Sequence, residues 1–514
     1  MRRILILLLS ALLLLVLAEL AFRFVFGFIF PSHHGNKLLA ELTGRVLSDS
    51  GPIEGAIVRY QGDSQHVLTH ADGAFALPAG FGHVTAWKDG YFIAGISADV
   101  RPLQIRLRKL PDTDNDGYSW IDPAPHPEQT HNCGNCHPQI YDQWKSSGHA
   151  RSATNRRFRN LYEGTDWQGR PNVGWSLLKE HPDGAGVCAA CHAPTAKPSA
   201  ELGYDMRQMV KSDSGLSGVH CDYCHKIAGP DEGEVGLTHG RYGLKLLRPK
   251  QGQLFFGPLD DVDRDEDTYS AFQRDSRYCA SCHEGTVFGV PVYTTYSEWL
   301  ASPARQRGQQ CQHCHMAPTG QMTNIAPGHG GIDRDPARLG NHRFFVDSQL
   351  DMLRRCLKLK IETQPDGDKQ RVAVSIQTDG VGHRVPTGFV DRHLVLVVAA
   401  RDEADNELQP LAGPHLPKIA GDVRGQPGRL YAKLLKDFNG QSPVPFWRAD
   451  SRPEDTRLLP GQTDVATWLF PAAVQRVRAR VLYRKFWPKV AEAKGWPENE
   501  MEVQKVEVQI RNKP

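Results

Sequence analysis

Cysteine outside one recurring pattern is almost absent from this chain of 514 residues: of its eleven cysteines, only Cys356 stands alone. That leaves little room for a scaffold of structural disulfides. Net charge is nearly missing too. Lys and Arg number 61 and Asp and Glu 58, leaving +3, which makes no case for nucleic acid or a polyanionic partner. The stretch 126–350 lacks periodic strands and is rich in Gly, Pro, His and short helical patches, so alternating side chains do not fill its core. At 40% apolar residues the chain still has material for two or three cores.

What the sequence does hold is one five-residue shape, Cys-x-x-Cys-His, written five times. The copies are Cys133-Cys136-His137, Cys188-Cys191-His192, Cys221-Cys224-His225, Cys279-Cys282-His283 and Cys311-Cys314-His315. A c-type haem needs two thiols at this spacing for its vinyl groups, and a His directly after them to reach the iron. A zinc knuckle or a redox dithiol does not require a His after every pair. The sequence therefore predicts five covalently attached haem c groups, with the five motif histidines as proximal iron ligands.

The intervals between motifs run long-short-long-short, as a duplicated unit would give. A second echo agrees: Tyr141-x-x-Trp144-x-x-Ser147 and Tyr296-x-x-Trp299-x-x-Ser302 each follow a motif. Both are expected to be helices that pack Tyr and Trp from one face against a haem edge. Two residues after the Ser, the first copy has His149 and the second Ala304. Electron-transfer haems generally carry a second axial ligand, whereas catalytic haems leave that position open. Five further histidines in Gly-rich or aromatic settings are candidates for it: His149, His239, His329, His342 and His383, with His149, His342 and His383 foremost.

Residues 1–31 read as a membrane anchor or signal segment. Arg2 and Arg3 precede an apolar run from Ile4 to Ala18, and apolar character continues through Phe30 with only Glu19 and Arg23 interrupting. Cleavage after Ala18 would leave a strongly apolar new terminus, so an uncleaved helix in the cytoplasmic membrane is the preferred reading. The positive-inside rule then places everything after Pro31 outside the cytoplasm.

Residues 42–110 show short alternating runs broken by Gly, Asp and Pro, which predicts a small antiparallel β-sandwich. Gly44-x-Val46, Gly55-Ala56-x-Val58, Asp72-Gly73-x-Phe75 and Lys88-x-Gly90-Tyr91 resemble the carboxypeptidase regulatory-like (transthyretin-like) domain. That resemblance implies a non-enzymatic spacer or contact module, with His66, His70 and His83 on the surface. In the linker 111–125, Asp112, Asp114, Asp116 and Gly117 match half of a calcium loop, but Pro123 stands where a bidentate Glu is needed. A solvated acidic turn is preferred there over bound calcium. Residues 355–514 return to strands and predict a C-terminal β-sandwich of immunoglobulin-like character. Its loop Gly382-His383-Arg384-Val385-Pro386-Thr387-Gly388 is open to two readings, a rigid turn or a His reaching back to an iron.

The five motifs, the Trp144-x-x-Ser147-x-His149 pattern, Cys311 to Met316 and His342-x-Phe344 resemble the multihaem (pentahaem) c-type cytochromes over 126–350. The resemblance implies distal ligation by His149 and His342, and a multidomain chain of anchor, small sandwich, haem-filled helical region and second sandwich. It also implies electron transfer between a membrane redox partner and an external acceptor, with membrane or periplasmic redox proteins as partners. The alternative is an enzyme with one open haem acting on a small nitrogen or sulfur compound. No Cys-x-x-Cys-Lys is present, the usual signature of the open haem in pentahaem nitrite reductases, and this tells against nitrite reduction.

Overall fold

The computed structural model describes residues 41–182, 186–196, 205–209, 218–231, 240–344, 349–450 and 452–510. The expected anchor at 1–31 and the candidate His239 lie outside these residues. Among the described residues, no helix is long and apolar enough to cross a membrane.

Alternation in the first stretch gives two small sheets face to face. One joins Gly51–Pro52, Leu42–Ser48 and Ala74–Leu77 in antiparallel order, with Gln104–Arg106 parallel to Leu42–Ser48. The other runs Val67–Leu68, Ile57–Tyr60, His83–Trp87, Ala94–Ser97. Val46, Val58, Phe75, Val84 and Ile105 point inward and form one core. Gly44 is required there, because a Cβ would sit 2.6 Å from the Phe75 ring.

This sandwich is not a detached spacer. It docks on the acidic segment that follows Leu259: Arg59 pairs with Asp260 at 2.7 Å, and the Gly62 N–H donates to Asp261 at 2.7 Å. Asp261, fully buried, also takes Arg334 at 2.8 Å. His83, expected on the surface, is partly covered and meets Asp263 at 2.7 Å. In the linker, Asp114 and Asp116 both serve Arg248: its Nε donates to Asp114 at 2.9 Å and its Nη2 to Asp116 at 2.6 Å. The Arg248 guanidinium takes both carboxylates.

The central region consists of short helices, three-residue to five-residue strands and loops, with small apolar clusters in place of one core. The C-terminal region has a three-stranded sheet of Leu357–Asp366, Lys369–Thr378 and Thr463–Pro471. It packs on a second sheet built around His393–Arg401, Arg476–Arg484 and Glu500–Gln509. Trp468, Phe470, Val374, Leu396 and Val481 fill the space between them. The region clamps the helix Arg156–Glu163 through Lys494, whose buried ammonium donates to the carbonyls of Asn160, Thr165 and Trp175 at 2.9, 2.9 and 2.7 Å. Trp496 Nε1 adds a bond to Asn160 Oδ1 at 2.8 Å.

Candidate functional site

Each Cys-x-x-Cys-His lies on or ends a short helix: Cys133–Cys136, Gly186–His192, Cys221–Cys224, Arg277–His283 and Cys311–His315. One helical turn brings the two thiols, three positions apart, onto the same side, and the His follows beside them. All ten thiols and all five motif histidines line one branched cavity of about 2260 Å³. Protein interiors otherwise pack to a density of about 0.75. A cavity of this size, walled by Tyr, Phe, Leu and Val together with paired thiols and imidazoles, fits several porphyrins and fits no ordinary side-chain core.

The imidazoles are prepared as neutral ligands. His137 Nδ1 donates to Ile325 O at 2.7 Å, His192 Nδ1 to Ser152 O at 2.8 Å and His225 Nδ1 to Phe256 O at 2.7 Å. A backbone acceptor at Nδ1 fixes the tautomer and ring direction and leaves Nε2 for a metal. Burial pushes the pKa values of His283 and His315 down to about 4, so both are unprotonated at neutral pH, as metal ligands must be.

Neighbouring motifs approach one another. The Cys191 and Cys282 side chains lie close enough to act on each other, as do Cys133 with Cys221 and Cys279 with Cys311. The first motif therefore adjoins the third, the third adjoins the fourth, where the Tyr278 hydroxyl donates to Cys224 O at 2.8 Å, and the fourth adjoins both the second and the fifth.

The candidate distal histidines divide. His149 faces His283 with ring centroids 6.2 Å apart, and His383 faces His315 at 6.2 Å with the rings 23° from parallel. Two imidazoles holding one metal through bonds of about 2 Å stand at this separation. His149 thus faces the fourth motif and not the first, which precedes it in the chain. His342 lines the cavity, and its pKa is pushed down to about 3 by burial and then by the charges of His225 and His137. His329 is exposed and outside the lining, although its charge is felt at His137. His393 is buried away from the cavity, stacked on Trp487 at 4.1 Å, with Nδ1 bonded to Asp391 O at 2.9 Å.

Two positioning residues were not singled out from the sequence. In the first aromatic helix, Gln143 Oε1 accepts the His342 N–H at 2.8 Å. In the second, Glu298 accepts the N–H of Arg384, next to His383, at 3.2 Å, and the Thr387 hydroxyl at 3.0 Å. Arg457 Nη2 holds Glu298 at 2.5 Å, both side chains being buried. Each residue directly precedes the Trp of the repeat, and that shared position was the available signal.

A family described as "Cytochrome c554 and c-prime" matches residues 132–226. A solved penta-heme cytochrome c552 from Thermochromatium tepidum is 24% identical, with a TM-score of 0.52 over 74% of this chain and 97% of that one. No curated protein matches. Together with the motif geometry, these findings make the central region a multihaem c-type cytochrome fold with haem c as its cofactor.

Proposed function

We propose that this chain is a five-haem, extracytoplasmic electron carrier, held at the cytoplasmic membrane by its N-terminal segment, that passes electrons from a membrane redox partner to an external acceptor. The observation that carries this reading is the single cavity in which all five motifs meet, joined first to third, third to fourth, and fourth to second and fifth. Haems tethered there form a continuous relay. Cys314 is the one exposed motif thiol, the other nine being half-buried. The fifth haem is therefore where electrons are exchanged with a partner. When bound, haem supplies the one-electron chemistry. The chain's own residues supply axial nitrogens, orient them through backbone carbonyls and exclude water.

The test is a haem-to-protein ratio on matured protein together with electron paramagnetic resonance. A ratio of five with mainly low-spin iron is expected; a ratio well below five refutes the count. Fractionation tests the location, and recovery of a soluble chain beginning at Glu19 refutes the anchor.

One observation favours the enzymatic alternative for a single haem. Among the described residues, Phe158 stacks face to face on His192 at 4.0 Å, where His283 and His315 each face a second imidazole. A high-spin signal that survives in the His239→Ala variant assigns an open haem to that motif. Its absence in the parent protein rules this reading out.

A further inference from the structure

Three cations line the wall of the cavity nearest the second and fourth motifs, and neither axial ligation nor the domain contacts described above employ them. Arg157 is next to Phe158, the ring stacked on His192. Arg392 acts on His283 and on Tyr293, and Tyr293 in turn lies beside Cys191, Cys188 and Cys282. Lys485 lies opposite Arg392, one step beyond the antiparallel pair His393–Arg484, and its N–H bonds to Asn499 O, two residues from the Pro497 carbonyl that takes Arg157. All three side chains are half-buried. Against the three cations stands the carboxylate of Glu498, an exposed residue of the same lining that acts on Lys485 and on Arg157.

Their own partners leave capacity to spare. Arg157 donates from Nη2 to Pro497 O, but its Nε is buried without a partner. Arg392 donates from Nη1 to Thr387 O at 3.3 Å. Mutually repelling cations in a half-dry wall are costly unless a negative group joins them. Two guanidinium forks and an ammonium suit a compact group with two or three oxygens.

We propose that Arg157, Arg392 and Lys485 form an anion site at the wall shared by the second and fourth motifs, taking a carboxylate or small oxyanion. The inference rests on the reading that haems fill the cavity. The anion has two possible sources with the same chemistry, a haem propionate or a free anion such as nitrite or phosphate.

The experiment uses fully haem-loaded protein, parent and variants Lys485→Gln, Arg392→Gln, their double variant and Lys485→Arg. Calorimetry with sodium nitrite and with phosphate is run beside spectroelectrochemical titration of the haems. If the anion is free, the parent binds one of these probes, the double variant binds it at least tenfold more weakly, and Lys485→Arg retains it. If the anion is a propionate, no probe binds; instead one or two haem midpoints shift to lower potential in the double variant and return toward the parent in Lys485→Arg. Should the double variant fail to load haem, Lys485→Gln alone gives the same readouts at a half-buried position. Neither probe binding nor a midpoint shift in any neutralising variant overturns the proposal.

Discussion

The two aromatic helices, Pro138–Lys145 and Thr295–Leu300, place the same residues in the same way and then recruit their histidines differently. In both, Tyr and Trp rings lie against each other, 5.9 Å apart in the first and 5.5 Å in the second. In both, the indole N–H donates to a carbonyl of a later loop, Trp144 to Val219 at 2.9 Å and Trp299 to Gln309 at 2.8 Å. Ser147 and Ser302 close each helix by bonding back to the Trp carbonyl at 2.8 and 2.9 Å and are both fully buried. The difference begins two residues later. The first copy carries its own His149 toward His283; the second has Ala304 packed near Gly382, with room for a Cβ at Gly382 no closer than 3.2 Å. The missing imidazole comes from the next residue of that loop, His383, facing His315. A duplicated frame can thus keep its packing while one copy draws its imidazole from another domain.

The residue before each Trp shows what that outsourcing requires. Gln143, in the self-supplied copy, accepts one backbone N–H through a neutral amide. Glu298, in the copy that depends on the C-terminal domain, carries a charge locked to Arg457 and gathers Arg384 and Thr387 with it. A charge-assisted network is about twice as strong as neutral bonds, and it binds a loop that no covalent neighbour fixes. Glu298→Ala should therefore have the largest effect. It strips a buried guanidinium of one partner and frees the loop, at a cost of about 3 kcal/mol in unfolding free energy. It should also convert the haem between His315 and His383 partly to high spin. Denaturant unfolding and electron paramagnetic resonance read the two effects, and an unchanged spectrum separates Glu298 from the loop.

Removing the imidazoles themselves comes next. His149→Ala and His383→Ala should each turn one low-spin iron high-spin, with a raised midpoint and new cyanide reactivity at that haem. The signals belong to the fourth and fifth haems respectively, so the double variant should show both, with midpoints that depart from the sum of the single variants because the two sites adjoin. If His149→Ala perturbs the first haem instead, the facing of His149 and His283 is not the ligating arrangement.

Much of this was legible in the sequence, because covalent tethers are written as local spacing. The strands of the two outer domains were legible for the same reason: Leu357–Asp366 and Lys369–Thr378 alternate with period two, and their pairing follows directly. The facing of His149 with His283 was not, since it joins motifs far apart in sequence through a cavity that side chains do not fill. Arg457 with Glu298 and Arg59 with Asp260 were hidden likewise: a buried ion pair between domains leaves no periodic trace. His329 could not be placed by composition, because a Gly-rich loop that can approach a porphyrin can equally be exposed, as this one is, while lying near enough to act on His137.

Gln143→Ala, the counterpart of the Glu298 change, should be milder. It leaves the His342 N–H without its acceptor and costs about 1–2 kcal/mol, with a broadened low-spin signal from whichever haem His342 serves. Gln143→Glu keeps an acceptor but places a charge at a buried position, so the stability lost should resemble that of the alanine variant. A Gln143→Ala effect as large as that of Glu298→Ala, measured in the same denaturant series, would erase the distinction between the copies.

The smallest expected difference lies in acid. Burial alone would raise the Asp455 carboxyl, but the hydrogen bond and charge of Arg457, then the charge of Arg384, outweigh it and hold Asp455 below the ordinary carboxylate range. A carboxylate with a depressed folded pKa contributes stability above its unfolded value, near 4, and loses it as pH falls through the folded one. Asp455 shares Arg457 with Glu298, so protonating it loosens the second copy's network, while Gln143 has no charge to lose. On lowering the pH below about 4, the haem facing His383 should become high-spin before the haem facing His149. In Asp455→Asn the lead should shrink, because the acid-sensitive partner is already neutral. Were the two haems to change together in parent and variant alike, the charge on the second copy would have no part in holding its histidine, and the duplicated helices would differ only in where the imidazole comes from.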